Sequence, residues 1–269
     1  MNDVEDINYR NIDGHSLLGR MYHPTTSGPT NWVIDVHGGA WGSGDRLNNA
    51  IIHEDLARNG IGVFSLDFRL SDVAQHPLPV ADISYGIRWF KANKNLLGLQ
   101  VLAIGGLGTS SGAQQLGLVA LRPSDENWKT ADTGLTNISP CIDFFVACWP
   151  VLDPLARYQM VLDIGNDRLC AAHDAYFRSK ADMETGNPYL ILQRNEEELT
   201  PPMLIIQGTN DANVNHNWQD RFADLYKAKG GRVEVHKYDA QPHTFVTSDP
   251  SNRASIAAIK KIREFVTLA

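Results

Sequence analysis

The sequence predicts an α/β protein whose parallel sheet is covered by helices on both faces. Short, near-continuous apolar runs recur along the chain, as strands buried on both sides require. Longer stretches with apolar residues at helical spacing separate them, and the alternation of the two is the mark of a parallel sheet. With 43% hydrophobic residues among 269, there is ample material for one large core.

Taken in order, TNWVIDVHGG reads as a strand and IIHEDLARNG as a helix closed by Gly60, a residue suited to the left-handed turn after a helix. IGVFSLDFRL is the next strand. Residues 82–93 form a helix with Ile83, Ile87 and Phe90 on one face. Then follow strand VLAIGG, helix AQQLGLVAL, and strands DFFVACWP and PPMLIIQGT. Helix HNWQDRFADLYKAKG, strand RVEVHKY and a last helix over residues 252–268 complete the order. Residues 153–200 break the rhythm. They are polar and helical, with Tyr158, Tyr176, Phe177 and Tyr189 among them, and too long for a plain connection. The expectation is a single domain, 1–269, with 153–200 inserted as a lid.

Composition excludes several classes of function. A net charge of -7 repels nucleic-acid phosphates, so no nucleic-acid partner is expected. No apolar run reaches the ~20 residues of a membrane span, so no membrane partner is expected either. Cys141, Cys148 and Cys170 are odd in number and lack CxxC spacing, which argues against a disulfide framework or a zinc site. The start, MNDVEDINYR, is acidic and polar rather than basic and then apolar, unlike a secretory signal. The expectation is a cytoplasmic protein without metal or cofactor. The oligomeric state is left open, a homodimer included.

Three segments carry chemistry. In VLAIGGLGTSSGAQQLGLVAL, strand, tight turn and helix follow one another, and a nucleophile at such a corner needs small neighbours. Gly108 and Gly112 put Ser110 at the centre of a G-x-S-x-G register, whereas Thr109 and Ser111 lack a glycine two residues before. Ser110 is therefore the candidate nucleophile, and the backbone N–H of Ser111, opening the helix, can face an oxyanion. The second segment, HGGAWGSGDR, follows a strand. Its glycines let N–H groups turn inward, with Gly39 and Ala40 as the expected donors and Gly38 as fallback. His37 is read as fixing this loop rather than as a base. Trp41 is expected to wall the substrate site and to limit acyl length, with Trp149 either beside it or in the core. Third, a serine needs a base and an orienter. Asp211 in LIIQGTNDANV and His243 in VEVHKYDAQPHTF each follow a strand, and the order Ser, Asp, His fits a hydrolase triad. Asp153 in PVLDP is the rival acid. His236 and His53 read as structural or solvated, His216 as a helix cap, and Asp239 as a turn residue.

Together HGGAW, GTSSG, GTNDANV and PHTF resemble the α/β-hydrolase superfamily, in its carboxylesterase and hormone-sensitive-lipase-like group, with small bacterial acetyl and feruloyl esterases nearest. The resemblance runs from about Ile12 onward and includes LDFRL and HPLPVADI. It implies an eight-stranded, mostly parallel sheet, with Ser110, Asp211 and His243 as triad and Ser111, Gly39 and Ala40 around the oxyanion. It also implies a structural role for Asp67, Arg69 and Asp82. Ala40 stands at the third position of the family's HGGG loop, and Thr244 where relatives often carry Gly or Ala. The function expected is a serine esterase whose partner is a small ester. An amidase or arylformamidase with the same triad is the alternative within enzymes, and a non-catalytic small-ligand receptor the alternative outside them.

Overall fold

A computed structural model describes residues 3–129 and 134–269. Chain order begins with a hairpin, β1 (Val4–Ile12) and β2 (His15–Tyr22), followed by β3 (Thr30–Val36), α1 (Ala50–Arg58) and β4 (Gly62–Leu66). Then come α2 (Leu78–Asn93), β5 (Val101–Thr109), α3 (Ser111–Leu121) and β6 (Phe145–Cys148). Four short helices follow: α4 (Pro154–Asp163), α5 (Asp167–Tyr176), α6 (Lys180–Thr185) and α7 (Pro188–Gln193). The chain closes with β7 (Met203–Gly208), α8 (Asn217–Ala228), β8 (Val233–Tyr238), α9 (Phe245–Ser248) and α10 (Arg253–Leu268).

The strands form one eight-stranded sheet in the order β1-β2-β4-β3-β5-β6-β7-β8. The β1–β2 and β2–β4 pairs are antiparallel and the others parallel. Side chains alternate across it, as the strand period of two demands. On one face Trp32, Ile34 and Val36 of β3 and Met203 and Ile205 of β7 join the core under α2, α3 and α8. On the other face Val33, Leu204 and Ile206 meet Ile52 and Leu56 of α1 and Ile259 and Ile262 of α10. Both faces are thus covered, as the continuous apolar strands predicted.

The β1–β2 hairpin was not assigned from local pattern. β1 is largely exposed, so it shows no apolar run. Its turn is Asp13-Gly14, both at positive φ (49° and 78°), a pairing that two-residue hairpins favour. Arg10 of β1 donates to Asp82 Oδ1 at 2.7 Å, and Arg69 binds the same buried carboxylate through two N–H groups. These ion pairs fasten the hairpin to α2, so Arg69 and Asp82 hold structure. Asp67 takes hydrogen bonds from the Arg46 backbone and side chain, both at 2.8 Å.

Candidate active site

Parallel strands bring their carboxyl ends to one edge of the sheet, and loops from those ends meet where the strand order reverses. Here β3 pairs with β4 on one side and β5 on the other, with Val36 opposite Gly108. The loop after β3 therefore lies against the turn after β5.

Ser110 occupies that turn between β5 and α3. Its backbone has φ 51° and ψ -117°, a left-handed conformation that costs a residue with a side chain ~1–3 kcal/mol. Packing enforces it: a Cβ on Gly108 would lie 2.6 Å from Ala113 Cα, and one on Gly112 would lie 2.2 Å from Val36 O. The strain presents Ser110 Oγ at 3.0 Å from His243 Nε2, and His243 Nδ1 lies 2.7 Å from Asp211 Oδ2. The three expected residues thus form one hydrogen-bonded chain from separate strand ends. Trp149, 1% exposed, packs edge-on against His243 at 6.4 Å between ring centres.

The loop after β7 fixes the acid. Asp211 Oδ1 accepts from the N–H groups of Asn213 (2.7 Å) and Val214 (2.9 Å), and Oδ2 also accepts from Gln207 Nε2 (2.9 Å). Burial alone would raise this carboxyl. The bonds from His243, Gln207 and the loop backbone outweigh it and hold the group below the ordinary carboxylate value. Gln207 escaped the sequence reading because a polar residue inside a strand shows no pattern of its own. The rival, Asp153, caps α4, accepting from Ala156 N–H at 3.1 Å and Asn187 Nδ2 at 2.9 Å.

The loop after β3 carries three residues at positive φ: Gly39 (120°), Ala40 (50°) and Trp41 (63°). The N–H groups of Gly39 and Ala40 meet no acceptor among the described residues. The N–H of Ser111 opens α3, where no intrahelical acceptor exists. Gly38 cannot serve as the fallback donor, because its N–H is spent on Thr109 Oγ1 at 2.8 Å. Thr109 in turn accepts from Asn49 Nδ2, which also reaches the buried Asp35 at 3.0 Å. This polar chain under the loop left no trace in local sequence pattern. His37 bonds to Gly38 O at 2.7 Å and stacks on Phe68, in keeping with a loop-fixing part.

Trp41 departs from expectation. Its ring is 1% exposed and does not line the cavity beside Ser110. Its Nε1 donates to Gln114 Oε1 at 2.8 Å, and the ring stacks on Tyr176 at 5.1 Å. A positive φ at the loop turn sends the side chain under residues 153–200 instead of toward the site. Trp149 is the tryptophan that lines the cavity. His216 occupies the N-cap position of α8, but its side chain makes no cap bond and faces Lys237 Nζ at 3.3 Å. His53 is wholly buried 3.1 Å from Asp35.

The cavity beside Ser110 measures about 360 Å³, within the range of small-molecule sites. Among the described residues no cluster of His, Cys, Asp or Glu can hold a metal ion. None of the described helices is long and apolar enough to cross a membrane.

Residues 20–225 match the BD-FAE family. The chain belongs to that family. Its curated relatives include esterase LipC of Mycobacterium tuberculosis, 26% identical over 214 residues, which cover 76% of this chain and 50% of that one. Isoprenylcysteine alpha-carbonyl methylesterase of Arabidopsis thaliana is 24% identical over 217 residues, 79% of this chain and 50% of its own. This BD-FAE chain therefore spans about half the length of the curated relatives it matches. Among solved structures it resembles esterase 2 of the planctomycete Thermogutta terrifontis. The propionate-bound form gives a TM-score of 0.79 at 23% identity, over 98% of this chain and 93% of that one. The form phosphonylated by sarin gives 0.81 at 22%, over 98% and 94%. The fold is the α/β-hydrolase fold.

Proposed function

We propose that the protein is a serine hydrolase of small carboxylic esters, working through an acyl-enzyme. The observation that carries this reading is the unbroken chain from Ser110 Oγ through His243 to Asp211, with Ser110 held in a strained turn. In this reading His243 Nε2 takes the hydroxyl proton as Ser110 attacks the acyl carbon. Asp211 fixes the tautomer that leaves Nε2 free and stabilises the imidazolium that forms. The N–H groups of Gly39, Ala40 and Ser111 receive the oxyanion, each such donor being worth ~10²–10³ in rate. His243 then protonates the leaving alcohol, and water releases the acyl group along the same path.

The names of its relatives support an ester substrate, and a bound propionate or butyrate in the structural neighbour supports a short acyl group. Residues 153–200 serve in this reading as a lid fixed in place, since Trp41 from the β3 loop stacks on Tyr176 and meets Phe177 edge-on, both of that segment. A cytoplasmic setting accords with three free cysteines.

Hydrolysis of 4-nitrophenyl butyrate tests the function. The protein should turn it over and Ser110→Ala should not, whereas Thr109→Ala should retain the reaction in reduced measure. Equal rates for Ser110→Ala and the unaltered protein would refute the reading.

A further inference from the structure

The wall of the cavity beside Ser110 is cationic. Arg157 of α4 and Arg168 of α5 line it with Asn213 and His243, and among the described residues no Asp or Glu does. This runs against the rest of the molecule, whose net charge of -7 repels anions at long range.

Arg157 is the more telling of the two. Its side chain is 2% exposed, yet no carboxylate pairs with it among the described residues. Nε donates to Asn213 O at 3.3 Å, and Nη1 donates to His173 Nε2 at 3.0 Å. The guanidinium carbon lies 5.6 Å from the centre of the Trp41 ring. Nη2 meets no acceptor among the described residues, and Arg157 is one of the residues that line the cavity. Asp211 is the carboxylate whose charge acts on it. Both oxygens of that carboxylate are already taken by His243, Gln207 and two backbone N–H groups. Burial draws the Arg157 guanidinium down to about 10, which still leaves it charged at neutral pH. Its neighbour His173 is pushed down to about 3 by burial and by Arg157, so it stays neutral and accepts the bond. A buried cation without a counter-ion is costly, and an anion in the cavity relieves that cost. Arg168 is exposed and makes no hydrogen bond or ion pair among the described residues, which leaves its fork free for the same ligand.

We propose that Arg157 and Arg168 form an anion subsite, and that the preferred substrates are esters carrying a carboxylate away from the bond to be cleaved. A guanidinium presents parallel donors matched to the two oxygens of a carboxylate, so it recognises that group better than a neutral chain of equal length. The substrate class rests on the esterase reading of the same site; the anion subsite itself does not.

The competing account makes Arg157 a brace for the Asp211 loop through Asn213 O, which would affect every ester alike. Two matched pairs separate the accounts. Monomethyl adipate against methyl hexanoate places the charge on the acyl side, and 4-acetoxybenzoate against its methyl ester places it on the alcohol side. Turnover is followed by pH-stat titration. In at least one pair kcat/KM should favour the anion, and Arg157→Gln and Arg168→Gln should each lower the anion-to-neutral ratio about tenfold or more, chiefly through KM. Ratios unchanged in both variants would overturn the proposal. Should Arg157→Gln fail to fold, the exposed Arg168 decides alone. Calorimetric titration of Ser110→Ala with monomethyl adipate and with methyl hexanoate reads binding without turnover. Tighter binding of the anion, lost on adding Arg168→Gln, supports the subsite even if no ester is hydrolysed. Equal binding of the two refutes it even if both are.

Discussion

Gly112→Ala is the sharpest structural perturbation the site allows. The new methyl would lie 2.2 Å from Val36 O and 2.3 Å from His37 O, against an ordinary contact of 3.4 Å or more. Both obstacles are backbone atoms at the end of β3, so no side-chain rotation relieves them. Relief requires α3 and β3 to part by about 1 Å. That movement carries Ser110 and Ser111 away from Gly39 and Ala40, and misplacement by ~1 Å costs ~10² in rate. Overpacking of this kind costs ~1–3 kcal/mol, and at ~2–4 °C per kcal/mol the melting midpoint should fall by several degrees. Gly117→Ala in the same helix is the control. Its methyl would lie 3.4 Å from Pro188 Cγ, an ordinary contact, and helix propensity predicts a gain of ~0.5–1 kcal/mol. The assay is kcat on 4-nitrophenyl butyrate with a thermal melt of each variant. Gly112→Ala with kcat within about threefold of the parent would refute the reasoning that this contact sets the site's geometry.

Three further outcomes are expected. Asp211→Asn should lower kcat by ~10³–10⁴, since an amide opposite His243 Nδ1 favours the wrong tautomer, while Asp153→Asn should cost at most ~1 kcal/mol of helix capping; reversed losses in steady-state assays would reassign the acid. Trp41→Ala should lower stability by ~3–5 kcal/mol in urea unfolding, because the ring fills a core; an unchanged midpoint with faster cleavage of octanoyl esters would show that it walls the pocket after all. His173 titrates at about 3 when folded against 6.5 otherwise, so between these values the unfolded chain holds the extra proton and stability falls as pH falls, by up to ~1.4 kcal/mol per unit. His173→Gln should flatten the decline between pH 7 and 5, and parallel slopes for the two proteins would contradict it.

The parallel core of the fold was legible because strands buried on both faces must be largely apolar, as Val33 and Ile34 of β3 and Met203 to Ile206 of β7 are. The β1–β2 hairpin was not, because an exposed edge strand held by Arg10 and Asp82 carries no such run, and its only local mark is the Asp13-Gly14 pair at the turn. The candidate nucleophile was legible for a steric reason: only glycine fits at 108 and 112, so the register singles out Ser110. Side-chain direction was not. Trp41 and Trp149 both sit at positive φ near strand ends, and only tertiary packing turns one toward a core and the other toward the cavity. Arg157 shows the same limit. An arginine among Leu155, Tyr158 and Leu162 reads as the solvated side of a helix until Asn213 and His173 close around it.

The claim that Ser110 is the nucleophile is tested most directly by covalent labelling. A fluorophosphonate should add one mass increment, located by fragmentation to Ser110 rather than to Thr109 or Ser111, with ester turnover lost in proportion to labelling. An adduct on Ser111, or full turnover by protein labelled at Ser110, would contradict it.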